Sequence, residues 1–588
     1  MKINFRSVCR HLCAVFLLVI FLSPTLLFAA PKSAKQAGVL VKRWLTYSPN
    51  PLNSRMAPVI SNIETFKNDV GDPLYYVVHT KPRGFVIVSA DDLIEPVIGF
   101  FPHAEIFTPS PETPLGALLQ KDMLGRMFMA RGPQQMGIRG QVTRGALPED
   151  QRKARAKWDL FLTDIPQSDI LEAPLPAADI DDIKVHPLVE SRWGQGNEAG
   201  QNCYNYYTPN HYVCGCVATA MGQLMRFHRY PQAGVGTGQF TIHVDGVQRN
   251  ARLRGGDGAG GAYDWDHMVL DPNWSITAEQ RRAIGSLTSD AGISVNMSYR
   301  QRGSGASLLR SEAQLVSTFK YQNSVYGANY QGGFQNMTRV QIEKMINTNL
   351  DAGLPVLLGI SGRKDGRRFG HAIVADGYGA NNATVYHHLN MGWRGFNDGW
   401  YNIPVINTTG YNFSSLDSAV YNVYTHGTGE VISGRVVDGA GNPVTGVRVT
   451  AVAGGRSYND TTDNRGIFGI GKVPSNTNFT VTARKAGYTP APASRNVATT
   501  KSVNNGSMRN WSSSGNVWGV NFTVTAGLKG DINGSGAVDL TDAILAMRVI
   551  AGINVSSNIE INSTIDIDGD LKIGMAEVIY ALRTVAAN

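Results

Sequence analysis

Cys216 is the side chain whose setting most suggests chemistry. It lies in Cys214-Gly-Cys216-Val-Ala-Thr-Ala-Met-Gly-Gln-Leu-Met-Arg226. From Val217 onward the spacing is helical, with Ala218, Met221, Met225 and His228 on one face. Gly215 precedes the thiol, so a turn enters a helix there. The positive end of a helix favours a thiolate, and a cysteine nucleophile is commonly prepared this way. A small buried cysteine opening a core helix has the same local pattern. A thiolate that attacks a carbonyl also needs a group to take and return a proton. Among 12 histidines, His371 stands in Phe369-Gly-His-Ala-Ile-Val-Ala-Asp-Gly377. Gly370 leaves room beside its ring, and the apolar run after it reads as a buried strand. Only the fold can bring it to Cys216. His228, His387 and His388 are rivals. His228 reads as a packed or surface residue, and the adjacent pair alternates faces on a strand.

A second chemistry sits near the C-terminus. Asp531, Asn533, Ser535, Asp539 and Asp542 place oxygens at positions 1, 3, 5, 9 and 12 of a calcium loop. The Ala537 carbonyl falls at 7 and Gly536 at the turn. Asp566, Asp568, Asp570 and Glu577 repeat positions 1, 3, 5 and 12, with the Lys572 carbonyl at 7. There Leu571 replaces the turn glycine and Gly574 offers no side-chain ligand, so the second loop is expected to hold Ca2+ more weakly. A single match would read as a solvated acidic loop, but two, each leading into a helix, point to structural calcium. Catalysis by Cys216 and His371 requires no cofactor.

The elements that must position these groups belong to several domains. The chain has 588 residues, enough for about four. At 43% hydrophobic and 17% charged it can bury large cores, which excludes a polyelectrolyte. The net charge of +8 is uneven: from residue 530 onward eight Asp/Glu face three Lys/Arg. No compact basic cluster with interleaved aromatics marks a nucleic-acid surface. Lys2, Arg6 and Arg10 precede an apolar run from Leu12 to Phe28, broken by Pro24 and followed by Ala29 and Ala30. Residues 1–30 therefore read as a secretory signal removed from the mature chain, rather than as a membrane anchor. No later run is long enough to span a bilayer, so an extracellular protein with no integral membrane segment is expected. Cys9 and Cys13 leave with the signal. Cys203, Cys214 and Cys216 remain, an odd number that leaves one thiol unpaired or intermolecular.

Residues 31–180 mix helical and strand signals. Lys35 to Leu45 is amphipathic, and Tyr75–Val78 and Phe85–Val88 read as strands. A Pro/Ala linker at 172–177 ends this region. Residues 181–428 hold the cysteines and most aromatics. Residues 429–526 show short alternating runs, such as 447–452 and 479–483, between turn signals, as a β-sandwich does. Residues 527–588 carry the two acidic loops and return to helix. Two phosphate-loop patterns are rejected: 256–261 lacks the flanking strand and helix, and at 466–473 Val473 stands where a hydroxyl is needed.

Several motifs in 181–428 together resemble the streptopain-like cysteine peptidases, a papain-fold group secreted as zymogens. They are Gln195-Gly-Asn197, Tyr204-Asn205 with Thr208-Pro209, Gly215-Cys-Val-Ala-Thr-Ala220, Tyr263-Asp-Trp-Asp266, Asp290-Ala-Gly-Ile-Ser-Val295, Gly370-His-Ala372, and Gly392-Trp393 with Asp398-Gly399. The resemblance implies a papain-like α+β peptidase that hydrolyses peptide bonds of protein substrates. Cys216 matches the nucleophile and His371 the general base and acid. Gln195 matches the side chain that completes the oxyanion hole with the Cys216 N–H. Trp393 matches an aromatic shield, and Gly370 and Ser304 match the cleft lining. Met391 stands where the family carries Trp, and would line the cleft with altered preference. Asn390 is placed to orient His371 as a third group. Cys203 and Cys214 are expected to pair and leave Cys216 free; the rival Cys203–Cys216 bond would block the enzyme. Residues 31–180, with Gly84-Phe-Val-Ile-Val-Ser-Ala-Asp-Asp92, resemble the family's propeptide, an α+β inhibitor cut off near 165–185. Residues 431–490 resemble the carboxypeptidase-regulatory-like β-sandwich, read as a spacer or weak binding module. Residues 527–588 resemble a small all-α dockerin, which implies a cohesin partner on a scaffold or cell surface. The multi-domain reading is thus a tethered, self-inhibited cysteine endopeptidase. A papain fold without activity, serving adhesion, and a cysteine transamidase are the rival functions.

Overall fold

The computed structural model describes residues 30–131, 148–163, 181–328, 339–403, 416–485, 487–502, 514–533, 535, 537–553, 555, 566–570 and 572–587. The leader expected over 1–29 and most of the expected cut region, at 164–180, lie outside the described residues.

An 11-stranded sheet runs from the N-terminal region into residues 181–428, the expected peptidase region. It begins with β1 (Ile60–Lys67), β2 (Pro73–Thr80), β3 (Phe85–Ser89) and β4 (Val97–Phe101). The later strands are β5 (Asp181–Val185), β6 (Asn323–Ala328), β7 (Val356–Lys364), β8 (Arg367–Asn381), β9 (Thr384–Asn390), β10 (Gly399–Tyr401) and β11 (Leu416–Tyr424). Their spatial order is β1-β2-β3-β4-β10-β9-β8-β7-β11-β6, with β5 on β8. The junction is antiparallel: Phe100 of β4 faces Trp400 of β10, and Gly99 faces Tyr401.

Three helices cover the first half of this sheet: α1 (Ala34–Tyr47), α2 (Pro114–Arg131) and α3 (Glu149–Leu162). Ser33 caps α1, its hydroxyl accepting from the Gln36 N–H while the Gln36 side chain accepts from the Ser33 N–H. Leu40, Val41 and Trp44 of α1 and Trp158 of α3 pack on one face against Val78, Val86, Phe100 and the peptidase residues Tyr386 and Trp400. On the other face, Leu115, Leu119 and Met123 of α2 join Phe85, Phe101, Leu358, Ile360 and Ile373. Both apolar layers therefore cross the expected boundary near residue 180. A buried polar contact crosses it too: Asp122 of α2 accepts from Arg126 at 2.8 Å and from the Tyr401 hydroxyl.

Two further helices, α4 (Cys216–His228) and α5 (Ala278–Ser294), build the other half of the peptidase region. Ala218, Met221 and Leu224 of α4 pack with Ile284 and Leu287 of α5 and with Leu357, Ala372 and Val374 of the sheet. Neighbouring residues of β8 thus alternate between two cores, as strand geometry requires.

Residues 430–526 form two packed four-stranded sheets around Val436, Val449, Phe468, Val481 and Phe522. This sandwich is not suspended on a free spacer. Arg435 holds Asp182 of β5 through two hydrogen bonds of 2.6 and 3.0 Å. Ser433 donates to Asp351 at 2.7 Å. The C-terminal helices α6 (Leu540–Ile550) and α7 (Met575–Ala587) share a small core with Ile532, Ala546, Ile573 and Val578. Among the described residues, no helix is long and apolar enough to cross a membrane.

Candidate active site

Gly215 sets the geometry of the site. Its φ is 90°, a region that L side chains rarely occupy. A Cβ there would lie 2.8 Å from Met297 Cε and 3.1 Å from the Ser304 carbonyl. The chain can therefore make this turn only with glycine, and Cys216 becomes the first residue of α4. One residue earlier, the Cys214 N–H donates to the Gln195 carbonyl at 2.8 Å. The thiol of Cys216 faces β8, 4.0 Å from the Gly370 carbonyl. Burial raises its pKa, partly offset by the backbone N–H groups of Ala372 and Val217, so the sulfur is a protonated thiol in this state.

His371 follows Gly370 on β8, opposite Ile360 of β7. Its Nε2 lies 3.0 Å from the Pro111 carbonyl of the N-terminal region. A carbonyl only accepts, so Nε2 carries the proton. Burial lowers the imidazole pKa, and the Pro111 bond raises it by less. Burial thus favours the neutral ring, while a carbonyl from the N-terminal region fixes its proton on Nε2.

The segment that supplies Pro111 is clamped to the β7–β8 hairpin. Gln120 of α2 pairs through both ends of its amide with the Arg363 backbone. Lys121 donates to Ser361 at 2.9 Å, and Lys364 reaches Glu112 at 3.1 Å. At Gly362, an added Cβ would lie 2.7 Å from Pro111 Cβ. Beside these contacts a cleft of about 710 Å³ opens, lined by Cys216, Leu308, Tyr326, Ile360, Gly370 and His371 among others.

The fold therefore brings Cys216, Gly370 and His371 to one cleft. Ser304 stands beside Gly215 through its carbonyl. Gln195 and Trp393 are half-buried, and the Trp393 N–H joins no protein acceptor. Two expectations are corrected. Asn390 does not orient His371. Its side chain donates to the Ser191 carbonyl at 2.8 Å and accepts from Gln223 at 2.9 Å and from the Gly392 N–H at 3.1 Å. Met391 does not line the cleft. It is 1% exposed and packs in the core with Leu389 and Tyr401. The expected disulfide is also absent: Cys203, Cys214 and Cys216 are all free thiols. Cys203 and Cys214 are fully buried, each pushed up to about 12 by burial. The Cys214 sulfur is 3.3 Å from the Thr219 hydroxyl. Of the rivals, His228 bonds to the Tyr321 hydroxyl at 3.0 Å, His387 to Asn347 at 2.8 Å and His388 to Asp376 at 2.7 Å. Pro111, Thr219 and Gln223 were not singled out from the sequence. Two polar residues among the apolar positions of 217–225 were the available signal for the last pair.

In each acidic loop the last carboxylate accepts from backbone N–H groups. Asp542 accepts from the N–H groups of Ile532 and Asn533 at 2.8 and 3.0 Å. Glu577 accepts from Ile567 at 2.8 Å. Carboxylate oxygens of Asp566, Asp568 and Asp570 lie within 4.8 Å of one another, a hard-donor set of the kind calcium takes.

Residues 193–401 match the Peptidase C10 family. Residues 29–122 match the Spi protease inhibitor and 431–506 the carboxypeptidase regulatory-like domain. Streptopain of Streptococcus pyogenes is 28% identical over 252 residues, 39% of this chain and 58% of that protein. The aligned part thus spans little more than half of these curated relatives. The thiol protease/hemagglutinin PrtT of Porphyromonas gingivalis is 24% identical over 399 residues, 65% of this chain and 40% of that one. Among solved structures, a prointerpain A fragment of Prevotella intermedia aligns at 22% identity and a TM-score of 0.41, covering 62% of this chain and 98% of that one. The chain is therefore similar to the Peptidase C10 family over residues 193–401, to the Spi protease inhibitor over 29–122 and to the carboxypeptidase regulatory-like domain over 431–506.

Proposed function

We propose that the chain is the zymogen of a secreted cysteine endopeptidase. The Cys216 thiolate attacks the peptide carbonyl, and His371 takes the thiol proton and returns it to the leaving amine. Water then hydrolyses the thioester, with His371 as base. The Cys216 N–H and the Gln195 side chain receive the developing oxyanion, where a single donor is typically worth about 10²–10³ in rate. Trp393 shields the pair from water, and Gly370 and Ser304 border the substrate.

The observation that carries this reading is the Pro111 carbonyl on His371 Nε2, beside the cleft that holds Cys216. The N-terminal region engages the imidazole N–H, and burial favours the neutral thiol and the neutral imidazole. Such a contact silences a thiolate enzyme until the N-terminal region leaves. The test compares residues 31–588 with Cys216→Ala under reducing conditions by intact mass. Wild type should lose the mass of the N-terminal region while the variant stays whole. If both are cut alike, self-processing is refuted.

We also read residues 527–588 as a calcium-dependent tether. Its support is the convergence of Asp566, Asp568 and Asp570 and the apolar side chains Leu540, Ile544 and Met547 exposed on α6 with Ile579 and Leu582 on α7. A cohesin module is the partner this surface suits. Calcium should protect the tail of the full chain from trypsin and chelator should abolish the protection. Equal cutting in both would remove calcium from the account.

A further inference from the structure

Helix α4 buries two polar side chains that the chemistry above leaves unused. Thr219 and Gln223 are each 0% exposed. They lie four residues apart, so they stack on one face of the helix that begins with Cys216. A buried hydroxyl or amide is costly without partners. Thr219 also lies 3.3 Å from the Gly215 carbonyl and from the Cys214 sulfur, but both side chains share one neighbouring segment as a partner. The Thr219 hydroxyl lies 2.9 Å from the Gly194 carbonyl, to which it donates. Gln223 Oε1 accepts from the Trp193 N–H at 3.1 Å and from the Ser191 hydroxyl at 3.2 Å. Gln223 Nε2 donates to Asn390, whose own amide returns to the Ser191 carbonyl. Residues 191–194 are thereby bound along the helix, ending one residue before Gln195.

An oxyanion hole built from a helix N–H and a side chain on a separate segment has no short covalent link to fix its spacing. Donors must nonetheless sit within a fraction of an ångström of the place where charge develops. We propose that Thr219 and Gln223 are positioning residues that hold the Gln195 segment in register with the Cys216 N–H. This rests on the peptidase reading and on the role of Gln195 in it.

The test uses full-chain protein processed by immobilised wild-type enzyme, which is then filtered off. Thr219→Val removes the hydroxyl at nearly constant size. It should lower kcat tenfold or more, toward the roughly 10²-fold of a misplaced group. KM and the rate of Cys216 alkylation by iodoacetamide, which needs no oxyanion hole, should stay within about twofold. Thr219→Ser should recover most of kcat. In a Gln195→Ala background, Thr219→Val should cost nothing further. An equal loss with and without Gln195 would overturn the proposal, as would an alkylation rate that falls in step with kcat. Gln223→Met carries the same comparison if Thr219→Val does not fold. Processed wild type that is alkylated but cleaves no peptide would instead refute the peptidase reading itself.

Discussion

Three thiols share one fold, yet their surroundings make them chemically different. Cys203 and Cys214 have no exposed surface and ionise only near about 12. Cys216 is partly exposed at a helix start. Iodoacetamide at pH 8 should therefore add one label to native residues 31–588, at Cys216, as read by peptide mass mapping. A label on either buried thiol would contradict the packing. The rate should climb once the N-terminal region is removed. Relief of burial raises the His371 pKa, and an imidazolium beside the sulfur stabilises the thiolate. Cys216 and His371 were legible because their signals are local: a glycine turn into a helical pattern, and a glycine beside a ring on an apolar strand. The role of Asn390 was not, because its partners come from α4 and residue 191 and depend on tertiary register. Thr219 and Gln223 were hidden for a related reason: polar residues on a helix give no sign of burial until the segment that receives their hydrogen bonds is known.

At the level of elements, α2 and the segment before it clamp the β7–β8 hairpin beside the cleft. Gly362 is a close point of contact: a Cβ there would lie 2.7 Å from Pro111 Cβ and 3.1 Å from Ala117 Cα. Gly362→Ala should push this segment away without straining the strand, whose φ is ordinary there. Overpacking of this kind costs about 1–3 kcal/mol. The full chain should then process roughly tenfold faster in an intact-mass time course, while the processed enzyme keeps wild-type kcat. An unchanged time course would show that the clamp lies elsewhere. Helix α1 and strands β2 and β3 were readable from periodicity. Their neighbours were not. A buried alternation tells which face of a strand is apolar, not which strand lies beside it, so the pairing of β4 with β10 was invisible.

At the scale of the molecule, buried and half-buried polar contacts join the N-terminal region, residues 181–428 and the sandwich. Asp351 receives the Tyr378 hydroxyl at 2.6 Å and the Ser433 hydroxyl at 2.7 Å, linking peptidase to sandwich. Burial pushes its carboxyl up to about 7. A carboxyl raised by folding binds its proton more tightly in the folded chain. The stability it lends is complete below the unfolded value near 3.8 and is lost as pH rises through about 7. Melting temperature should therefore fall between pH 5.5 and 8, and Asp351→Asn should flatten part of that slope. Asp290 and Asp398 slope the same way, so the difference between variant and wild type isolates Asp351. A slope unchanged by Asp351→Asn would place the coupling elsewhere.

The junction of Phe100 with Trp400 has a consequence for the fate of the activated protein. While the N-terminal region is present, Gly399–Tyr401 is an interior strand. Once that region departs, the same residues become a border with unmet backbone donors and acceptors, flanked by newly wetted aromatic rings. Such borders are where soluble chains begin to polymerise. Here the border is only three residues long, and brevity is one way proteins blunt such growth. Activation thus turns a question of inhibition into one of colloidal lifetime: concentrated processed enzyme should scatter light sooner than the zymogen it came from.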